Sequence, residues 1–328
     1  RAGQVRKVFA RAGKRRFKAA GSFSTESGEV AVFNTRGVRC YQSVTSAGIN
    51  IIAMSDTSSG YANGLSRAVA DIDVVKLADT AVEKAWLSRN PKPLGPGEYE
   101  VILEPAAISE VFEWLNYIGF GSKPFADKTS FLSDNIGKKI MDETMTVYDD
   151  GLDEAGISFP FDFEGVPKKR VCFVERGVGK GVVYDRISGS KAGVASTGHA
   201  ITADKHGEGA AALNVFIEKG EKTKEEMVAS VERGILVTRF HYINGLIDTP
   251  KAVLTGMTRD GTFLIENGQI KHGIKNLRFT DSMLRAFSGI KGISSERSLV
   301  PSWWSSVGCM CVPTIHLKSL KFTGTTDF

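Results

Sequence analysis

The sequence predicts an α+β protein of two domains: an N-terminal antiparallel sheet with a packed helix over residues 1–92, and a mostly antiparallel β domain with a few helices over 93–328. Three observations carry this reading. Runs of β-branched and apolar residues crowd 29–54 and recur from 171 onward, helical spacing of apolar residues is confined to short windows, and a Pro/Gly cluster at 90–97 separates the halves.

From Glu29 to Met54 the strand pattern is broken at Thr35-Arg36-Gly37, which predicts a turn between two antiparallel strands. Upstream, Val5, Phe9 and Ala12 fall on one side of a short helix. Asp73 can cap a helix running to about Ser88, because Val74, Leu77, Ala78, Ala81, Val82 and Ala85 repeat at helical spacing. Asn90-Pro91, Pro93 and Gly95-Pro96-Gly97 then end that helix, since proline has no N–H to continue it.

The second domain opens with a strand, Tyr99 to Leu103, and a helix entered at Glu104-Pro105. Ile108, Val111, Phe112, Leu115 and Ile118 make its apolar stripe, with Glu110 and Glu113 toward its polar side. Thr144 to Tyr148 reads as a strand ended by the turn Asp149-Asp150-Gly151. Beyond Val171 strands alternate with turns, with Glu175-Arg176-Gly177 and Asp260-Gly261 expected to close hairpins. Thr223 and Glu226 have the spacing of a capping box, another helix is expected from Thr280, and a strand runs from Thr314 to Phe322 with a phase shift before Leu320.

Composition narrows the function classes. No apolar run approaches the roughly 20 residues of a membrane helix, and no apolar stretch follows the basic start as a secretory signal would require. Cys40, Cys172, Cys309 and Cys311 are too scattered for a disulfide framework, so a cytoplasmic setting is expected. Eight basic residues precede the first acid, Glu26; the other 34 of the 42 face 37 acids, so the net charge of +5 is a property of the first eighteen residues. With no aromatic ladder beside it, this run reads first as a solvated helix face and second as a phosphate-binding surface.

The chemistry-bearing residues are few. Gly177-Val178-Gly179-Lys180-Gly181 lacks the Ser or Thr of a phosphate loop and is followed by a strand pattern, so it reads as a hairpin. No two of the five histidines have the helical spacing of a zinc site. His199 and His206 share a glycine-rich loop, and Cys309 and Cys311 share a strand face just before His316, which strand alternation puts on the face opposite Cys311. These four, His199, His206, Cys309 and Cys311, are the candidates for catalysis, set against their reading as polar loop residues and buried thiols.

The stretch from Gly234 to Phe287, with Ala195 to Ala200 (ASTGHA), Thr146 to Gly151 (TVYDDG), Val101 to Pro105 (VILEP), Ser88 to Pro91 (SRNP) and Phe322 to Thr326 (FTGTT), resembles the TldD/PmbA family, also called modulators of DNA gyrase. The resemblance implies a two-domain α+β fold, a chain that begins inside its N-terminal domain, and a role with a zinc peptidase acting on peptides or unfolded segments. The catalytic branch carries His-Glu-x-x-x-His on the helix after the first strand of its second domain. Here Phe112, Glu113 and Tyr117 stand at those positions, which resembles the PmbA/TldE branch. The resemblance therefore implies no cofactor of the chain's own, zinc only in a partner subunit, and a TldD-like partner or a homodimer around a peptide substrate. Two other readings follow: an independent hydrolase using Cys309 or Cys311 with a loop histidine, and direct contact with DNA gyrase or DNA.

Overall fold

The computed structural model describes residues 1–202, 209–302 and 308–326. Its first unit is a three-stranded antiparallel sheet, β1 (Lys18–Phe33), β2 (Arg39–Met54) and β3 (Ser59–Ser66), in that spatial order. The β1–β2 turn falls at Asn34–Val38, where Asn34 Oδ1 accepts the N–H groups of Arg36 and Val38 at 2.9 and 3.1 Å. Two helices cover one face, α1 (Ala2–Lys14) and α2 (Val74–Leu87). Lys76 N–H donates to Asp73 Oδ1 at 3.0 Å, so the cap forms as the sequence predicts. On β3, a Cβ on Gly60 would lie 2.3 Å from the carbonyl oxygen of Ala81, so glycine there lets α2 sit directly on the strand. On α1 the phase differs from expectation. Val8 and Ala12 are buried while Phe9 remains 56% exposed, because the helix settles with Val8 toward the sheet.

The second unit is built on an eleven-stranded sheet. It begins with β4 (Gly97–Leu103), α3 (Pro105–Leu115), α4 (Ser122–Ala126), β5 (Val147–Asp149), β6 (Val171–Glu175), β7 (Val178–Gly179), α5 (Arg186–Ala192), β8 (Asn214–Ile217) and α6 (Lys224–Ala229). It continues with β9 (Arg233–Asp248), β10 (Val253–Glu266), β11 (Gln269–Gly273), β12 (Leu277–Ser282), α7 (Met283–Phe287), β13 (Ile290–Pro301) and β14 (Cys309–Thr325). Most pairings are antiparallel; β4 with β9 and β8 with β14 are parallel. Because β10 pairs with both β9 and β12, β12 with β14, and β14 with β4, the strands β9, β10, β12, β14 and β4 close into a ring.

Alternation along β4 shows how both faces are covered. Val101 and Leu103 join a core with Ile108, Val111, Phe112 and Leu115 of α3, whereas Ile102 turns to a second cluster with Met227, Val228 and Val231 around α6. Thr223 and Glu226 form the expected capping box at the start of α6. Along β14, Met310, Val312, Ile315, Leu317, Leu320 and Phe322 all enter the α3 core, so the strand's phase slips twice. One slip is the predicted shift before Leu320, where the register with β4 breaks.

Several local expectations are corrected. Asp260-Gly261 does not close a hairpin but forms a bulge inside β10, with φ of 53° and 127°, and the ladder with β9 shifts across it. The turn into β11 is Asn267-Gly268, with φ of 50° and 72°. Asp149 belongs to β5 and is buried, so the turn begins after it, at Gly151 and Leu152, with Asp150 Oδ1 accepting the N–H of Leu152 at 2.9 Å. Thr280 lies in β12, and α7 starts after Ser282, whose hydroxyl accepts the N–H of Arg285. Glu110 and Glu113 are not on a solvated face, since β9 lies over that side of α3. The second slip of β14 puts both Cys311 and His316 outside the α3 core, so strand alternation does not separate them as expected.

No helix among the described residues is long and apolar enough to cross a membrane. The two units are joined by backbone and charge. Lys92 N–H donates to Gly273 O and Lys275 N–H to Lys92 O, at 3.0 and 2.9 Å, so the connecting segment lies as an added bridge against the second unit.

Candidate functional site

The C-terminal half of α3 is the first place to build a site. Phe112 is fully buried and meets Phe287 edge-on at 5.3 Å between ring centroids. Glu113 follows it into the interior. After Leu115 the chain widens into a π-helical turn over Asn116–Phe120, which swings Tyr117 out to solvent against Trp114. Phe112, Glu113 and Tyr117, the three positions that the resemblance sets against the metal-binding motif, thus diverge into core, interior and surface.

A zinc ion needs lone pairs from nitrogen, sulfur or oxygen, and the Phe112 ring supplies none. Among the described residues no group of three or more His, Cys, Asp or Glu side chains is arranged to hold a metal. The donor set on α3 does not fit the ion that the resemblance implies.

Beside this turn opens a cavity of about 410 Å³, lined by Asn116, Tyr117, Lys123, Ala211, Leu213 and Leu246 among others. Asn116 Nδ2 donates to Ala212 O at 3.0 Å and fixes one wall. On β9 Leu246 lines the cavity, and Tyr242 and Ile247 of the same strand are also exposed. Such a surface suits an extended chain with apolar side chains.

The candidate residues lie elsewhere. His199 is buried, its Nε2 2.9 Å from Asp149 Oδ1, with Nδ1 the same distance from Thr197 O. Asp149 Oδ2 also accepts the N–H groups of Leu213 and Asn214, each at 2.8 Å. Burial alone would raise the Asp149 carboxyl, but Lys168, His199 and these donors hold it down at about 2. Lys168 is itself buried, 3.9 Å from Asp149, and burial lowers its ammonium pKa despite the carboxylate. His206 lies outside the described residues. Sequence reading found His199 but missed Asp149 and Lys168, because the first looked like a turn and nothing local marks the second.

Cys309 and Cys311 are both buried. Ile157 N–H donates to Cys309 Sγ at 3.3 Å, and that thiol donates to Asn214 Oδ1 at 3.4 Å. Burial pushes Cys309 up to about 12 and also raises Cys311, which sits among Tyr148, Phe216 and Leu299. Thiols held so far from ionisation are poor nucleophiles at neutral pH. His316 points to Glu100 instead, its Nε2 2.6 Å from Oε1.

A third cluster ties the units together. Lys84 of α2 and Lys224 of α6 reach Glu104 at 2.6 and 3.1 Å, and although burial favours the neutral acid, the two ammonium groups hold Glu104 at about 2. Nearby, Arg239 stacks over Tyr61 of β3 at 4.6 Å while its Nε donates to Asp260 Oδ2 at 2.8 Å. Glu110 accepts Phe240 N–H at 2.6 Å, yet burial raises its carboxyl to about 8 against the pull of Arg239.

Comparison with known proteins supplies what no single cluster states. The model for the PmbA/TldA metallopeptidase C-terminal domain matches residues 96–324, and the model for the central domain matches residues 5–88. A metalloprotease of Methanothermobacter thermautotrophicus is 23% identical over 228 residues, 68% of this chain and 49% of that protein. Metalloprotease PmbA of Escherichia coli O157:H7 is 24% identical over 245 residues, 74% of this chain and 51% of that protein. The chain thus spans about half the length of these curated relatives. The crystal structure of TldE from Thermococcus kodakarensis superposes with a TM-score of 0.88 at 23% identity, covering 98% of this chain and 74% of that one, which shows the shared fold.

Proposed function

Because the chain belongs to the PmbA/TldD metallopeptidase family, we propose that it serves as a non-catalytic or regulatory subunit of a peptidase assembly, shaping a peptide cleft for a TldD-like partner that carries the zinc. The observation that carries this reading is Phe112. At the helix position where the catalytic branch has a histidine, this chain has a ring sealed against Phe287, and the neighbouring Tyr117 turns outward. Without a metal to lower its pKa, water is a poor nucleophile at neutral pH. The cavity beside Tyr117, with the exposed Leu246 in its lining, supports a role in holding an extended peptide.

The test is metal content by mass spectrometry on protein purified without a metal-affinity tag, beside a peptidase assay with and without a TldD-like partner. We expect no stoichiometric zinc and cleavage only in the mixture. Stoichiometric zinc with cleavage by this chain alone would overturn the reading.

A further inference from the structure

A larger cavity, about 640 Å³, opens where the two units meet and belongs to neither the α3 surface nor the buried Asp149 cluster. One wall is the β2–β3 turn, with the hydroxyls of Ser55, Thr57 and Ser58; the other is the β10 bulge and the segment after β11, with Arg259, Thr262 and Lys275. Ile274 N–H donates to Thr262 O at 2.9 Å, which brings Lys275 alongside the bulge that carries Arg259.

Counting Arg239, which pairs with Asp260 behind the lining, three cations meet two acids, Asp260 and Asp56. Asp260, at the floor, already receives Arg239 through a 2.8 Å hydrogen bond to Oδ2, and Arg259 reaches the same oxygen only at 3.9 Å. Lys275 makes no ion pair among the described residues. Register places Arg278 across from Met257, two residues before Arg259, and so adds a further cation along the sheet, while burial and the neighbouring guanidinium groups keep His241, on the other side of Met257, toward its neutral form. The other acid in the lining is Asp56, exposed on the turn. A cationic ligand would face two positive groups here, and a neutral one would leave Lys275 without an ion-pair partner and Arg259 sharing Asp260 with Arg239.

We propose that this cavity binds a small oxyanion-bearing molecule, its phosphate or carboxylate held between Arg259 and Lys275 and met by the hydroxyls of the β2–β3 turn. Charge-assisted hydrogen bonds from a guanidinium and an ammonium are the strongest contacts a site of this size can offer such a group. Since one wall comes from each unit, the ligand bridges them. The proposal is independent of the peptidase reading and is tested on this chain alone.

The experiment is titration calorimetry at low ionic strength with inorganic phosphate, and with a tetrapeptide carrying either a free or an amidated C-terminus. We expect phosphate, the free acid or both to bind, the amide not to, and affinity to fall as salt rises. Phosphate alone would identify a phosphate site, and the free acid alone a carboxylate site. The R259Q/K275Q pair, which removes both charge-assisted contacts, should weaken binding by about tenfold or more. Lys275→Gln alone gives a smaller loss should the pair fold poorly. Asp56→Asn should tighten binding two- to threefold or so by removing a like charge, a direction that a merely structural residue would not give. Binding of neither probe by the unmodified chain, or binding unchanged in both lysine variants, overturns the proposal.

Discussion

Glu110 and Glu104 stand six residues apart and respond to burial in opposite directions. Glu110 titrates in the folded chain near 8, well above an ordinary carboxyl, so between those values the folded state holds a proton that the unfolded state has released. Stability should therefore fall as pH rises from about 4.5 through 8. Glu110→Gln should remove that decline, so that the urea midpoints of variant and parent draw apart in the variant's favour between pH 6 and pH 9. Glu104 is held near 2 by two lysines, so it contributes stability that is complete above the ordinary carboxyl range and lost as pH drops through about 2. Glu104→Gln should cost roughly 3–5 kcal/mol at pH 7, because it strands a buried ammonium, and the cost should shrink toward pH 2. Cys309 gives a chemical check of the same physics. In the native chain at pH 8 iodoacetamide should leave it unmodified, and labelling should appear only in denaturant.

At the scale of elements, α3 is held by core packing and α6 by its cap. Phe112→Ala removes a fully buried ring from between α3 and α7, and should lower stability by about 3–5 kcal/mol in chemical denaturation. Thr223→Ala deletes one half of a capping box on a six-residue helix and should cost about 1 kcal/mol. Both elements were legible in the sequence, because caps and apolar spacing are local signals. The β10 bulge was not. Asp260-Gly261 has the composition of a hairpin turn, and what makes it a bulge is the continuation of the ladder with β9 on either side, together with the pull of Arg239 on Asp260. The phase of α1 likewise depends on the sheet beneath it, which the pattern of Val5, Phe9 and Ala12 does not encode.

At the scale of the molecule, the charged groups at the junction couple the two units. Glu104 joins α2 to α6, and Arg239 joins β3 to α3 and β10. Arg239→Ala would remove the cation between Asp260 and Glu110 and the stacking on Tyr61 at one stroke. A single calorimetric transition is expected for the parent chain. The variant should unfold at lower temperature with a broadened or split transition, and an unchanged melt would show that the units are held together by other contacts.

The sequence by itself determined the α+β class, the turns at Thr35-Arg36-Gly37 and Glu175-Arg176-Gly177, the caps of α2 and α6, and the resemblance that the family models bear out. All of these rest on signals within a few residues or on ordered motifs. Only the tertiary structure decided that Asp149, Lys168 and His199 meet in the interior, that Arg259 and Lys275 face a shared cavity, and that the strands of the second unit close into a ring. Those arrangements join residues tens to hundreds of positions apart. Which partners meet there depends on how the sheets pack and on what each buried charge requires beside it, and no local pattern specifies either.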